Sequence, residues 1–373
     1  MATSNLGIRC LHSVELCVHD AGPWMDYFTK GFGFQHVAVS TGKAIEETGT
    51  CRRLLRCGDV CLVLQAVVHT GSFVKHYLER HPEGISKVNF LVRDVNATEE
   101  RLIERHATPT GFIETTQAGS AAWSQLSIAT PLGDVEYCFV ETSDESGLLM
   151  PGMEPCGSFD AAHNPLGLTG IDHLTSNMRT LMPVVAFYEH VLGFARFWDV
   201  QFHTEDFKRG VGSGLKSVVM WDEESGVKFA NNEPLRPRFD QSQVQLFVET
   251  NRGPGIQHIA FHVGDIMRAV DHCRAAGLQF LPTPQSYYKV LPGRLKARHV
   301  DGLDHSLEEI EKREILADGD KDGYLLQIFC KDQVVQFRRP NVGPLSIEMI
   351  QRCGCQGFGE GNFRALFEAM ARQ

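Results

Sequence analysis

The stretch "GPGIQHIAFHV", residues 253–263, sets His258 and His262 four apart inside a run that alternates like a β-strand. A neutral imidazole is a good transition-metal ligand, and it is equally at home as a core side chain. "GIDHLTSN" carries a further histidine, His173, and "GPLSIEMIQR" carries Glu348. In the latter run Leu345, Ile347 and Met349 form one apolar face, which puts Glu348 on the other with Ser346 and Ile350. A carboxylate so placed is costly to bury unless it is paired or coordinated. Two imidazoles and one carboxylate on one side of a metal leave the remaining positions open. That set suits a non-haem Fe(II) that binds substrate and O₂ together. His262 shares the face of His258 but has no partner strand, so it reads as core or as a contact behind the ligands. The HExxH helix of zinc proteases is absent.

The elements that must position these residues come from a repeat. Residues 84–108, "GISKVNFLVRDVNATEERLIERHAT", echo residues 255–279, "GIQHIAFHVGDIMRAVDHCRAAGLQ", at a shift of 171. A second echo, "IRCLHSVELCV" with "LTGIDHLTSNM", at a shift of 161, pairs His12 with His173. The chain therefore reads as two similar halves of two modules each, a strand and a helix followed by several strands, with the join in the Gly-, Pro-, Met- and Ser-rich segment 143–168. We set the halves at residues 1–155 and 156–373. Repeats of this kind build curled sheets around a pocket. The halves differ at the key positions. Lys87 stands where the second half has His258, and Cys138 where it has Glu348. Period-2 patterning predicts strands over "KVNFLV", "QVQLFV", "LLQIF" and "LSIEMI". Helices are expected at 93–106, 182–192, 264–276 and 306–313, and from about Asn362 to the end, where Phe363, Leu366, Phe367 and Met370 make an apolar stripe.

Composition narrows the partners. Net charge is −10 with no basic block, which argues against nucleic acid. No apolar run approaches the roughly 20 residues of a membrane span. The first residues lack the pattern of a secretory signal and read as the first strand. The 11 cysteines include no CxxC pair, and "CGC" at 353–355 is too tight for a zinc knuckle, so reduced thiols in a cytoplasmic protein are expected.

The segments "GIDHLTSN", "SQVQLFVETNRGPGIQHIAFHVGDI", "ILADGDKDGYLLQIFCK", "IEMIQR" and "GFGEGNFRALFEAM" resemble the 4-hydroxyphenylpyruvate dioxygenase family. The likeness runs over nearly the whole chain and is dense from about residue 168 onward. It implies an α+β fold of two tandem open β-barrel halves built from βαβββ modules, the vicinal-oxygen-chelate or glyoxalase-like fold. A C-terminal helix would cover the pocket of the active second half, and the first half would be catalytically silent. The resemblance assigns Fe(II) to His173, His258 and Glu348. The substrate's own 2-oxo acid would chelate that metal and supply the electrons that reduce O₂, giving homogentisate and CO₂ as in tyrosine catabolism. No external 2-oxoglutarate is required. Carried over one by one, Gln243 and Gln327 become polar anchors, one toward the phenol and one near the metal. Ser217 and Asn232 become contacts to substrate or to the groups behind it. Gln257 also matches, although parity turns it away from His258. Phe329 and Phe363 would sandwich the aromatic ring, with Phe358 and Asn362 in the same closing segment. A homo-oligomer, dimer or tetramer, is the expected assembly.

This chain departs from the family pattern at two positions. The residue two before the metal glutamate is usually Phe, and here it is Ser346, which parity turns into the pocket. The residue two before the "NEP" asparagine is usually Pro, and here it is Ala230. Ser346 keeps open a sister activity, 4-hydroxymandelate synthase, with a dioxygenase for another aryl or alkyl 2-oxo acid as a related option, while Phe363 and Gln243 match the dioxygenase pattern. A metal-free binding protein on the same fold is the alternative of a different class.

Overall fold

The computed structural model describes residues 6–144, 146–203, 214–235, 242–339 and 342–362. Two mixed sheets dominate it. The first holds β1 (Ile8–Val18), β2 (Gln35–Ser40), β3 (Thr50–Cys57), β4 (Val60–Val67), β5 (Gly84–Val92), β6 (Glu114–Ala118), β7 (Ala121–Ala129), β8 (Glu136–Thr142) and β9 (Met153–Pro155), in the order β6-β7-β8-β5-β1-β4-β3-β2-β9. The second holds β10 (Leu168–Asn177), β11 (Ala195–His203), β12 (Gly214–Trp221), β13 (Lys228–Pro234), β14 (Gly255–Val263), β15 (Leu316–Asp320), β16 (Gly323–Phe329) and β17 (Ser346–Cys353), in the order β11-β12-β13-β10-β14-β17-β16-β15. In each sheet the two modules meet at a central antiparallel pair, β1 with β5 and β10 with β14.

The helices repeat with the strands. Asp94 caps α4 (Val95–Glu104) by accepting from the Asn96 and Ala97 amides, and Asp265 caps α7 (Ile266–Ala275) by accepting from Arg268 N. These are the aspartates at which the two sequence echoes turn from strand to helix. Helix α5 (Met182–Ala186) runs on as a π-helical turn over Phe187–Leu192.

One apolar core runs through both halves, from Leu6 to Met349. Phe261 of β14 lies 5.7 Å from Phe32, the last residue of α1 of the first half (Ala21–Phe32), and 5.8 Å from Phe34 just beyond it. Gly343 approaches so closely that a β-carbon there would meet the Glu83 carbonyl oxygen at 1.7 Å.

Two expectations are corrected. "QVQLFV" is not a strand but the helix α6 (Gln243–Thr250). Ser242 caps it by accepting from Val244 N, and Val244, Phe247 and Val248 are buried at helical spacing while Leu246 is 43% exposed. The cap and the three-and-four spacing outweigh the apparent alternation. The second correction is the register of the repeat. Ser13 pairs with Asn89 as His173 pairs with Ala260, and Glu15 pairs with Lys87 as Thr175 pairs with His258. The structural shift is therefore 160 (Ser13 to His173), and His12 corresponds to Asp172 rather than to His173. The helix expected from about Asn362 has its first described turn at 360–362, and Phe363, Leu366, Phe367 and Met370 lie outside the described residues.

Candidate active site

His173 on β10, His258 on β14 and Glu348 on β17 come from three adjacent strands, and cross-strand register puts them on one face. His173 and Glu348 both pair with Ala260, one from each side, while His258 pairs with Thr175 and Ser346. The three side chains are buried, and their ligand atoms lie within 4.8 Å of one another. Glu348 Oε2 is 3.3 Å from His173 Nε2 and 3.2 Å from His258 Nε2. Among the described residues this is the group of three that can hold a metal.

The far side of each imidazole is occupied. His173 Nδ1 donates to Asp172 Oδ1 at 2.8 Å, and His258 Nδ1 donates to Gln257 Oε1. Both partners sit at β-bulges. The β10–β14 register skips Asp172 between Ile171 and His173, and skips Gln257 between Ile256 and His258. A bulge re-aims its extra residue, which is how a side chain adjacent in sequence bonds the neighbouring ring. The parity argument that turned Gln257 away from His258 fails for this reason. Asp172 is in turn held by Arg352, through Nε to Oδ2 at 2.6 Å and Nη2 to Oδ1 at 2.8 Å.

Electrostatics fit a ligand set. Burial by itself disfavours the His173 imidazolium, but the Glu348 charge and the bond to Asp172 outweigh it and raise its pKa to about 9. Burial wins at His258, whose pKa is lowered. Burial pushes the Glu348 carboxyl up, and the two histidines more than reverse this. The result is a buried carboxylate facing two imidazoles, a charge that a cation held between the three would compensate.

The other expected residues fall into groups. Ser217, Asn232, Gln327, Phe329 and Ser346 share the face of the three ligand candidates by register. Ser217 pairs with Asn232, which pairs with Asn177 on β10. Phe329 pairs with Glu348, with Gln327 two residues earlier on the same strand. Asn232 Nδ2 donates to Asn177 Oδ1 at 3.0 Å. The Phe329 ring stands edge-on to His258 at 5.7 Å. Ser346 is buried. Phe358 reaches over from the C-terminal segment, 4.9 Å from the His173 ring and stacked with Trp198 at 6.0 Å. Ala230 packs in that same cluster with Val219. Asn362 is buried, but its Oδ1 accepts from Tyr287 at 2.6 Å and from Arg294 at 2.8 Å, so it anchors the closing segment. Gln243 does not enter this face, because it lies exposed at the start of α6. Phe363 lies outside the described residues. His262 bonds Thr169 Oγ1 at 2.5 Å, apart from the ligand candidates.

Sequence reasoning missed Asp172, Arg352, Asn177 and Trp198. Arg352 had a signal, since it shares the strand parity of Glu348. A groove of about 620 Å³ lined by Pro131, Met178, Arg179 and Arg252 shares no residue with the candidate ligands, so the ligand set rather than surface relief marks the site.

Residues 170–290 match the Glyoxalase/Bleomycin resistance protein/Dioxygenase superfamily. A 4-hydroxyphenylpyruvate dioxygenase of Dictyostelium discoideum is 33% identical over 358 residues, 93% of each chain. One of Danio rerio is 32% identical over 373 residues, 97% of this chain and 89% of its own. Among solved structures, a mutant of 4-hydroxymandelate synthase from Streptomyces coelicolor superposes with a TM-score of 0.78 at 25% identity, over 98% of this chain and 99% of that one.

Proposed function

This chain belongs to the 4-hydroxyphenylpyruvate dioxygenase family, and we propose that it converts 4-hydroxyphenylpyruvate and O₂ to homogentisate and CO₂ at an Fe(II) held by His173, His258 and Glu348. The observation that carries this reading is the convergence of two imidazole Nε2 atoms and one carboxylate on a buried face. The donor set fits the metal. Both Nδ1 atoms are already bonded, both Nε2 atoms are turned to Glu348, and two histidines with one carboxylate leave coordination positions open. When bound, Fe(II) supplies the redox chemistry with O₂ that no side chain here can perform.

The chain's own residues do the rest. Asp172 and Gln257 fix the tautomers and ring planes of the two histidines. Phe329, Phe358 and Trp198 offer flat apolar surfaces to an aromatic substrate and exclude water. Ser217 and Asn232 offer hydrogen bonds on that same face from β12 and β13, and the Gln327 carboxamide lies beside Gly359 at the edge of the closing segment. We assign the first half, 1–155, a scaffold role and place the site in 156–373. By register Ser13, Lys87 and Cys138 occupy the three ligand positions in the first sheet, and the Lys87 ammonium is paired with Glu136 at 3.1 Å. Buried, unbridged thiols such as Cys17, Cys57, Cys273 and Cys330 suit a reducing compartment, which we take to be the cytoplasm. No described helix is long and apolar enough to cross a membrane.

The test is product identification. The protein is loaded with Fe(II) without oxygen, given 4-hydroxyphenylpyruvate, then exposed to O₂. Homogentisate is expected. 4-Hydroxymandelate would replace the reading with benzylic hydroxylation and direct attention to Ser346 and Ala230. Replacing His173, His258 or Glu348 by Ala is expected to abolish both iron binding and turnover, with His12→Ala retaining both. Metal loss in His12→Ala would overturn the assignment of halves.

A further inference from the structure

Arg352 reaches two structures at once. On one side its Nε and Nη2 hold both oxygens of Asp172, the acceptor of His173 Nδ1–H. On the other its Nη1 donates to the Cys355 carbonyl at 3.1 Å and the Gly357 carbonyl at 2.7 Å. The guanidinium also lies 5.7 Å from the centre of the Phe358 ring, which itself packs on His173. The side chains of Arg352 and Asp172 are only 7% and 6% exposed. A buried pair this tight cannot lose one partner cheaply, so the two move together. The planar, forked guanidinium suits this double engagement, which an ammonium cannot reproduce.

We propose that Arg352 is a positioning residue that couples metal occupancy at His173, His258 and Glu348 to the placement of segment 354–358, and so of Phe358 over the site. The coupling rests on the metal reading above. A metal held by His173 would withdraw electron density from the ring and strengthen its Nδ1–H bond to Asp172, and so would fix Asp172 and the guanidinium clamped to it. The same guanidinium holds the carbonyls of 355 and 357. By linkage, ordering that segment tightens metal binding by the factor through which metal orders the segment.

The experiment is amide hydrogen exchange of the 354–362 stretch in the whole chain, with and without Co(II), alongside Co(II) titration followed by its visible absorption. In the wild-type protein Co(II) is expected to slow exchange there about fivefold or more. In Arg352→Gln, Co(II) is expected to bind about tenfold more weakly, and at saturating Co(II) the slowing disappears. Arg352→Lys, which keeps the charge without the fork, guards against a Gln variant that fails to fold and is expected to lose the slowing as well. A purely structural arginine would raise exchange with and without metal while leaving their ratio at the wild-type value, and that outcome overturns the proposal. So does a wild-type protein that binds Co(II) with no change in exchange. A wild-type protein that binds no Co(II) overturns the metal reading itself, and this inference with it.

Discussion

Ser346 is the residue at which this site most invites a change of chemistry. It is buried, pairs across the sheet with His258, and shares the face of Glu348 two residues on. A benzyl group there would fill space beside one ligand candidate and remove a hydroxyl from the wall. Ser346→Phe is therefore expected to shift the ratio of homogentisate to side-chain-hydroxylated product, or the range of 2-oxo acids accepted, with the metal retained. Chromatography of the products checks it, and an unchanged ratio and range would make Ser346 a passive neighbour. Residue-scale chemistry was legible wherever strand parity holds. Ser346 and Glu348 lie on the face that alternation assigns them, and Gln327 and Phe329 share it by register. It was not legible at Gln257, because one inserted residue shifts the parity and nothing local in the sequence marks a bulge.

Those bulges are the element-scale device of the site. Each of the two histidines follows a bulge residue that accepts its Nδ1–H, Asp172 on β10 and Gln257 on β14. The two strands thus carry ligand candidate and ligand orienter as adjacent residues. Gln257→Ala is expected to keep the fold and weaken metal affinity about tenfold, while Gln257→Glu, which keeps an acceptor, restores most of it. Titration with Co(II) or Fe(II) measures both, and equal affinity in the Ala variant would remove Gln257 from the site. Helices were less legible than strands. The helix α8 (Gln285–Ala297) contains Pro292 followed by Gly293, a pair that reads as a turn. Helix α6 alternates by accident of composition until its cap and buried positions are seen.

Among the described residues one large apolar cluster joins both sheets, so the two halves are expected to unfold together. The first half should then report on global stability through groups that have no part in the chemistry. His12 is such a group. Burial, aided by Arg56, lowers its pKa from 6.5 to about 4. The folded protein thus keeps His12 neutral where the unfolded chain would protonate it. The stability contributed is whole above pH 6.5 and is lost as pH falls from 6.5 toward 4, by ~3 kcal/mol at most. His12→Phe, which preserves the ring against Trp123, is expected to flatten that part of the stability–pH curve. Denaturant unfolding at pH 7 and pH 5 measures it, and an unchanged slope would show that His12 binds its proton alike in the folded and unfolded chain.

The sequence by itself determined the duplicated plan, the strands that bear His173, His258 and Glu348, and the contrast with Lys87 and Cys138 in the other half. Periodicity and repetition are local or self-referential, so they survive without coordinates. Only the tertiary structure decided the true register of the repeat, the bulges that turn Asp172 and Gln257 onto the histidines, the exposure of Gln243, and the Arg352 clamp between β10 and the C-terminal segment. Each of these depends on which strand lies beside which and in what register. That is a property of long-range pairing, to which residues far apart in the chain contribute together and which no single stretch encodes.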